Sequence, residues 1–119
     1  MIFLDTDALI AFMRGTPGIA SFFAEHKTST FAIPSPVLYE IYYGFYFSPL
    51  SKKFKNDVQF LEKLNKEEQI LIRLLNDIQV FDLTAKSAKK SAEISAILDS
   101  KGTPMGKMDV LIAGIILAP

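Results

Sequence analysis

Short apolar runs alternate with segments of helical pattern along this chain, and this alternation restricts its fold more than any other feature. The runs are Ile2-Phe3-Leu4, Thr30-Phe31-Ala32-Ile33 and Gln79-Val80-Phe81-Asp82-Leu83. A short apolar run ended by polar residues is typical of a strand buried on both faces, as in a parallel sheet. Strands that alternate with helices predict an α/β fold, here a three-layer α/β/α sandwich with a parallel central sheet.

The helices are predicted from capping residues, prolines and apolar spacing. Ser35 and Thr84 are suitable N-caps, and the alanines that follow Thr84 at helical spacing are expected to form a small-residue stripe that allows close packing. The predicted helices cover residues 8–13, 17–26, 36–47 after the Ser35 cap, 52–76, 85–101 and 107–117, and the alanines are Ala85, Ala88, Ala92 and Ala96.

Length and charge exclude several classes of protein. At 119 residues the chain is expected to form one domain over 1–119, and equal numbers of basic and acidic residues, 13 each, argue against binding nucleic acid by bulk positive charge. The chain has no cysteine, so neither disulfides nor zinc–thiolate sites are available. No signal peptide or membrane span is predicted, and a cytoplasmic location is expected.

Three acidic residues stand in apolar stretches of the sequence. Glu40 is the one charged residue between Lys27 and Lys52, Asp5 ends the first apolar run, and Asp109 opens the run 110–113. An ionised carboxylate is costly in apolar surroundings unless something compensates its charge. We therefore expect the three acids to share a divalent cation, Mg²⁺ or Mn²⁺.

Each acid also has a simpler interpretation when it is taken alone. Asp5 suits a helix cap, Glu40 suits a buried acid hydrogen-bonded to a tyrosine or to the backbone, and Asp109 suits the positive end of a helix dipole. The metal hypothesis rests on all three occurring together. Metal-activated water can hydrolyse a phosphodiester without histidine or cysteine, with one ion or with two, so the lone His26 is given no role.

Three blocks of the sequence, in this order and spacing, resemble those of PIN-domain ribonucleases, most closely the VapC-type toxins of prokaryotic toxin–antitoxin pairs. The blocks are Phe3-Leu4-Asp5-Thr6-Asp7-Ala8-Leu9-Ile10, Pro34-Ser35-Pro36-Val37-Leu38-Tyr39-Glu40-Ile41-Tyr42-Tyr43-Gly44, and Gly102-Thr103-Pro104-Met105-Gly106-Lys107-Met108-Asp109-Val110-Leu111-Ile112-Ala113.

This resemblance implies a metal-dependent endoribonuclease in which Asp5, Glu40 and Asp109 are the catalytic, metal-binding acids. Thr6 and Asp7 would support that site without coordinating the metal themselves, although both are also good cap residues. The implied partners are an RNA substrate, a small antitoxin protein and a second copy of the chain, with no membrane.

The aromatic cluster on the third predicted helix is expected to form the homodimer contact or the antitoxin's docking groove, and four basic residues are candidates for phosphate contacts. The aromatic residues are Tyr39, Tyr42, Tyr43, Phe45, Tyr46 and Phe47, and the basic residues are Arg14, Lys52, Lys53 and Lys55.

Family members usually continue past the last predicted helix into another strand, followed by Thr and a fourth Asp or Asn. This sequence stops at Pro119, so either the sequence is trimmed or the domain lacks its C-terminal strand and the fourth acid. One alternative is therefore a catalytically inactive PIN-like binding module. A further alternative is a haloacid-dehalogenase-type phosphatase, because Asp5-Thr6-Asp7 follows an apolar run, but Leu9 replaces the expected Thr or Val and no Gly-Asp-x-x-x-Asp loop follows.

Overall fold

A computed structural model describes residues 1–118 and shows a three-stranded parallel sheet with helices packed around it. Its strands, β1 (Ile2–Phe3), β2 (Phe31–Pro34) and β3 (Gln79–Phe81), lie in the order β1-β2-β3, with Ile2 opposite Phe31 and Ile33 opposite Val80. The α/β fold with a parallel central sheet is thus confirmed. The elements are β1 (Ile2–Phe3), α1 (Thr6–Arg14), α2 (Ile19–Glu25), β2 (Phe31–Pro34), α3 (Ser35–Phe47), a 3₁₀ turn (Ser48–Leu50), α4 (Val58–Leu74), β3 (Gln79–Phe81), α5 (Ala85–Ser100) and α6 (Lys107–Leu117).

Side-chain caps fix the starts of three of the six α-helices in residues 1–118, α1, α4 and α5. Asp57 accepts a hydrogen bond from the Phe60 amide at the start of α4, and Thr84 forms a capping box with Ser87 at the start of α5. Gly15 ends α1 with φ 67°, a left-handed conformation that is open to glycine because it has no Cβ.

Several predicted boundaries were wrong, in each case because local geometry selected a different residue. Helix α1 begins at Thr6 rather than at residue 8, because Asp5 is its cap. Ser35 is the first residue of α3 instead of its cap, and the N-cap position is held by Pro34 without a side-chain bond. Helix α4 begins after Asp57, six residues later than predicted, because turns occupy the lysine-rich segment before it. The remaining differences are smaller: α2 begins at Ile19, β2 runs from Phe31 to Pro34, and β3 ends at Phe81.

The hydrophobic core lies where α1, α3 and α4 meet the first two strands. Its members are apolar residues at helical spacing on one face of each helix, together with strand residues. The core cluster consists of Leu4, Leu9, Met13, Ile33, Val37, Ile41, Phe45 and Leu71.

The close contact between α5 and α6 uses serines rather than the predicted alanine stripe. Ser87 and Ser91 are buried, and Ser91 Oγ lies 2.9 Å from the Val110 carbonyl oxygen of α6 and 3.0 Å from the Ser87 carbonyl oxygen. The four alanines of α5 are exposed, so the prediction of an alanine contact was wrong. Helix α6 itself has the predicted bounds, and it buries Val110, Gly114 and Ile115 while Ile116 and Leu117 remain exposed.

Within residues 1–118, no helix combines the length and the apolarity that crossing a membrane requires. Pro119, where the domain was predicted to end, lies outside the described residues.

Candidate functional site

The first acid, Asp5, lies where β1 ends and α1 begins. Its Oδ1 accepts a hydrogen bond of 2.8 Å from the Ala8 amide, which makes it the N-cap of α1. The cap interpretation of Asp5 is therefore correct. Because that bond uses Oδ1 and the residue is exposed, Oδ2 can bind a cation without uncapping the helix.

A hydrogen bond joins the start of α1 to α3. The Thr6 hydroxyl donates to Glu40 Oε1 over 3.1 Å, across 34 residues of sequence. Because Thr6 follows Asp5 directly, this bond holds the Glu40 carboxylate towards the carboxyl end of β1. In parallel sheets, this is the edge at which binding sites form.

The third acid, Asp109, lies in the first turn of α6. A negative charge there is favourable to the helix dipole, and the N-cap, Gly106, provides no side-chain cap. Helix α6 packs against α3 and β2, so the helix that carries Asp109 contacts the helix that carries Glu40.

The sequence-based argument that these acids are buried in apolar surroundings was wrong. Asp5, Glu40 and Asp109 are all exposed, because each lies at an element's end or on the outward face of its helix. Burial therefore does not force them to share a cation. The three acids remain candidate metal ligands because of where they lie in the fold and because carboxylate oxygens suit a divalent cation.

The donor chemistry fits a hard divalent cation, whereas a complete ligand cage is absent from the part of the chain that is described. Magnesium prefers oxygen ligands and is often bound by one or two carboxylates, with water and substrate phosphate completing the shell. Across residues 1–118, no three acidic or histidine side chains form a group that could hold a metal ion. The residues present thus suit a sparse, hydrated site and do not form a closed one.

Of the secondary candidates, Asp7 and the lysines at 52, 53 and 55 are exposed to solvent. Asp7 is exposed in the first turn of α1, where an acid complements the helix dipole. The three lysines 52, 53 and 55 are exposed, and Lys53 Nζ lies 5.1 Å from the centroid of the Phe54 ring. His26 ends α2, with Nδ1 2.9 Å from the Phe22 carbonyl oxygen.

One residue near the site was missed at the sequence level. Glu67 of α4 is buried and lies 3.5 Å, measured from Oε1, from Nε of Arg14. The sequence does indicate that Glu67 is buried, because it lies on the apolar stripe of its helix, three residues after Leu64 and four before Leu71. An acid on such a stripe points inward.

Helix α3 is apolar on two faces. One face, with Val37, Ile41 and Phe45, enters the core. The other carries stacked aromatic rings in solvent: Tyr43 and Phe47 lie 5.5 Å apart with planes 6° from parallel. We call this second face, together with Leu50 of the 3₁₀ turn that follows α3, the aromatic face; its residues on α3 are Tyr39, Tyr42, Tyr43, Tyr46 and Phe47.

The surroundings of Tyr42, on the aromatic face, make its hydroxyl less acidic. Burial raises the pKa of its hydroxyl above the ordinary value, and the negative charge of Glu68 and the neighbouring Tyr46 raise it further. The phenolate is thus disfavoured in the folded protein.

Comparison with known proteins identifies the fold and the family. The PIN domain family model matches residues 2–117, so the chain belongs to the PIN-domain family. The predicted VapC-type resemblance is likewise confirmed by one solved structure, and a second solved structure shares the fold. A chain of the Rickettsia felis VapBC2 structure, bound to a DNA fragment from its promoter, is similar at 27% identity and TM-score 0.75, covering 99% of this chain and 82% of that one. A chain of DNA-bound VapBC from Salmonella typhimurium shares the fold at 24% identity and TM-score 0.70, covering 97% of this chain and 79% of that one. No curated protein matches the chain in sequence.

Proposed function

We propose that this chain is a metal-dependent endoribonuclease that acts as the toxin of a type II toxin–antitoxin system in the cytoplasm. The observation that supports this most directly is the hydrogen bond from Thr6 to Glu40, which holds one candidate acid beside the strand end that carries another. Membership in the PIN family and similarity to a VapBC structure support the same function.

In this proposal Asp5, Glu40 and Asp109 would hold Mg²⁺ or Mn²⁺. When bound, the ion would lower the pKa of a coordinated water and neutralise charge on the scissile phosphate. Such a hydrated site needs fewer protein ligands than a structural metal site, which agrees with acids that are exposed and dispersed.

The chain's own residues would orient the metal-binding carboxylates and position the RNA strand. The Thr6 hydroxyl fixes the rotamer of Glu40, and Asp5 combines helix capping through Oδ1 with a second oxygen that faces solvent. The lysines at 52, 53 and 55, together with Arg14, are exposed enough to contact phosphates along an RNA strand.

The proposal is tested by cleavage of a mixed RNA pool with Mg²⁺, with Mn²⁺ and with chelator, in the wild-type chain and in Asp5→Asn. Asparagine is as good an N-cap as aspartate, so the variant removes the charge without uncapping α1. Asp57→Asn is a matched control because Asp57 caps α4 in the same way, accepting from the Phe60 amide over 3.0 Å. We expect Asp5→Asn to lose about 100-fold or more of the activity, the scale of removing one group that stabilises a transition state, and Asp57→Asn to retain it.

Metal-independent cleavage, or equal activity in Asp5→Asn, would contradict this assignment. A folded wild-type chain that cuts no RNA under any of these conditions would instead support the alternative of an inactive PIN-like binding module. The phosphatase alternative loses its basis, because the family match covers residues 2–117 and includes the Asp5-Thr6-Asp7 segment on which it rested.

The proposed protein partners are a small antitoxin and a second copy of the chain. The antitoxin is proposed because the similar Rickettsia felis structure is a VapBC complex. The homodimer is proposed through the aromatic face, where Tyr39, Tyr46 and Phe47 are each more than half exposed. Exposed aromatic side chains at this density are typical of protein interfaces.

A further inference from the structure

The hydroxyl of Ser91 links helix α5 to the first turn of α6, the helix that carries Asp109. Ser91 is 3% exposed, and its Oγ lies 2.9 Å from the carbonyl oxygen of Val110, the residue that follows Asp109. The same Oγ lies 3.0 Å from the Ser87 carbonyl oxygen, one turn earlier in α5. A single buried hydroxyl therefore contacts one carbonyl oxygen of each helix.

The Ser91 hydroxyl has one proton for these two acceptors. A serine inside a helix commonly donates to the carbonyl four residues earlier, so the Ser87 carbonyl alone would satisfy the proton. Oγ would then present only lone pairs to the Val110 oxygen, which is repulsive at 2.9 Å. The contact between the helices is attractive because the proton is directed to, or shared with, the Val110 carbonyl.

A second contact lies one turn further along α6. Gly114 packs against the Ser91 side chain so closely that there is no room for a Cβ at position 114. Val110 and Gly114 are four residues apart, so both face α5 on the same side of α6. Two contacts one turn apart fix how far α6 can slide along α5 and how it is rotated about its own axis.

The rotation of α6 determines the direction of Asp109. Successive residues of an α-helix are rotated by about 100°, so with Val110 buried against α5 the Asp109 side chain is turned out of this contact, and it is exposed. We propose that Ser91 is a positioning residue of the candidate metal site: through Val110 its hydroxyl holds the Asp109 carboxylate where it can share an ion with Asp5 and Glu40. This inference rests on the proposed function and deepens it.

The test is Mn²⁺ binding by the full chain without RNA, followed by electron paramagnetic resonance, in the wild type, Ser91→Ala and Ser87→Ala. Ser87 is a matched control because it is also buried on α5, at 2% exposed, and its hydroxyl bonds to Thr84 in the capping box of its own helix. We expect Ser91→Ala to bind Mn²⁺ about fivefold more weakly, the equivalent of one hydrogen bond, and Ser87→Ala to bind it as the wild type does.

Amide hydrogen exchange of the metal-free chain tests whether Ser91 acts through α6. The Val110 amide donates to the Gly106 carbonyl oxygen over 3.0 Å, in the first turn of that helix. We expect it to exchange about fivefold faster in Ser91→Ala, relative to the amides of α4, and at the wild-type ratio in Ser87→Ala. Normalising to α4 removes the effect of a general loss of stability, which both variants share.

The outcomes separate this inference from the proposed function. Unchanged Mn²⁺ affinity in Ser91→Ala, an equal loss in Ser87→Ala, or an unchanged exchange ratio at Val110 would overturn the role of Ser91 and leave the proposed metal site standing. A wild-type chain that binds no Mn²⁺ would contradict the metal site itself, and the role of Ser91 with it. If Ser91→Ala fails to fold, Ser91→Cys keeps the shape of the side chain with a weaker donor, and the same loss of affinity is expected.

Discussion

Gly114 of α6 lies against Ser91 of α5 so closely that a Cβ at position 114 would overlap the serine Oγ. The same Cβ would stand 2.5 Å from the Ser87 carbonyl oxygen, which belongs to backbone and cannot rotate away. Since α6 also carries Asp109, this contact determines where that acid lies relative to the rest of the candidate site.

Replacing Gly114 by alanine should therefore destabilise the fold. Overpacking of a tight contact costs about 1–3 kcal/mol, partly offset by the roughly 1 kcal/mol by which alanine is a better helix former than glycine. Gly44→Ala is the matched control, a helical glycine with nothing within 4 Å of the added Cβ, and it should be neutral or stabilising. Urea unfolding measures the free energy of unfolding of both variants. Equal changes in the free energy of unfolding would show that the α5–α6 contact is not tight.

Thr6→Val should lower RNA cleavage while Thr6→Ser retains it. Valine keeps the shape of threonine but cannot donate to Glu40 Oε1, whereas serine keeps the hydroxyl. A hydrogen bond of about 1 kcal/mol corresponds to a fivefold change in rate, approximately. The measurement is cleavage rate against Mn²⁺ concentration for the three chains, with unfolding curves alongside. If serine and valine lose activity equally, the hydroxyl does not position Glu40.

Much of this arrangement follows from the sequence, and the exceptions have physical causes. The strands, the Thr84 cap and the bounds of α6 were predicted because short apolar runs and a capping residue mark them locally. The orientation of α5 was wrong because its alanines and serines both recur at helical spacing, and only the partner helix decides which set is buried.

The candidate site was predicted in position but misjudged in environment. Apolar neighbours in sequence suggested that Glu40 is buried, yet on α3 successive residues point in different directions, and Glu40 lies on an exposed face. The opposite error concerned Glu67, whose charged neighbours in sequence concealed an inward position. Sequence neighbours are poor guides to burial on a helix; neighbours at spacings of three and four are better ones.

Stability should fall at alkaline pH through Tyr42. Because the pKa of its hydroxyl is raised in the folded state, its contribution to stability is fully present below the unfolded value of about 10 and is lost as the pH rises through the folded value. Tyr42→Phe removes the ionisable group and should flatten this part of the curve. Glu68→Gln removes a charge that raises the pKa, so the loss of stability should be smaller and should end at lower pH. The measurement is the free energy of unfolding between about pH 8 and pH 12. An unchanged slope in Tyr42→Phe would assign the alkaline transition to another group.

Charges placed on the aromatic face should dissociate the proposed homodimer. Tyr43 and Phe47 are 56% and 51% exposed, so lysines there are solvated in the monomer but would be desolvated in a dimer that buries this face. Ile97→Lys is the control, since Ile97 of α5 is 53% exposed and lies outside the aromatic face. Sedimentation equilibrium of Tyr43→Lys/Phe47→Lys should give a dimer dissociation constant at least about tenfold larger than that of the wild type, a loss of some 1.4 kcal/mol in the free energy of association. The Ile97 variant should dimerise as the wild type does. A wild-type chain that stays monomeric at high concentration would contradict the homodimer and would assign the aromatic face to antitoxin binding. The same double variant would then weaken the binding of the antitoxin.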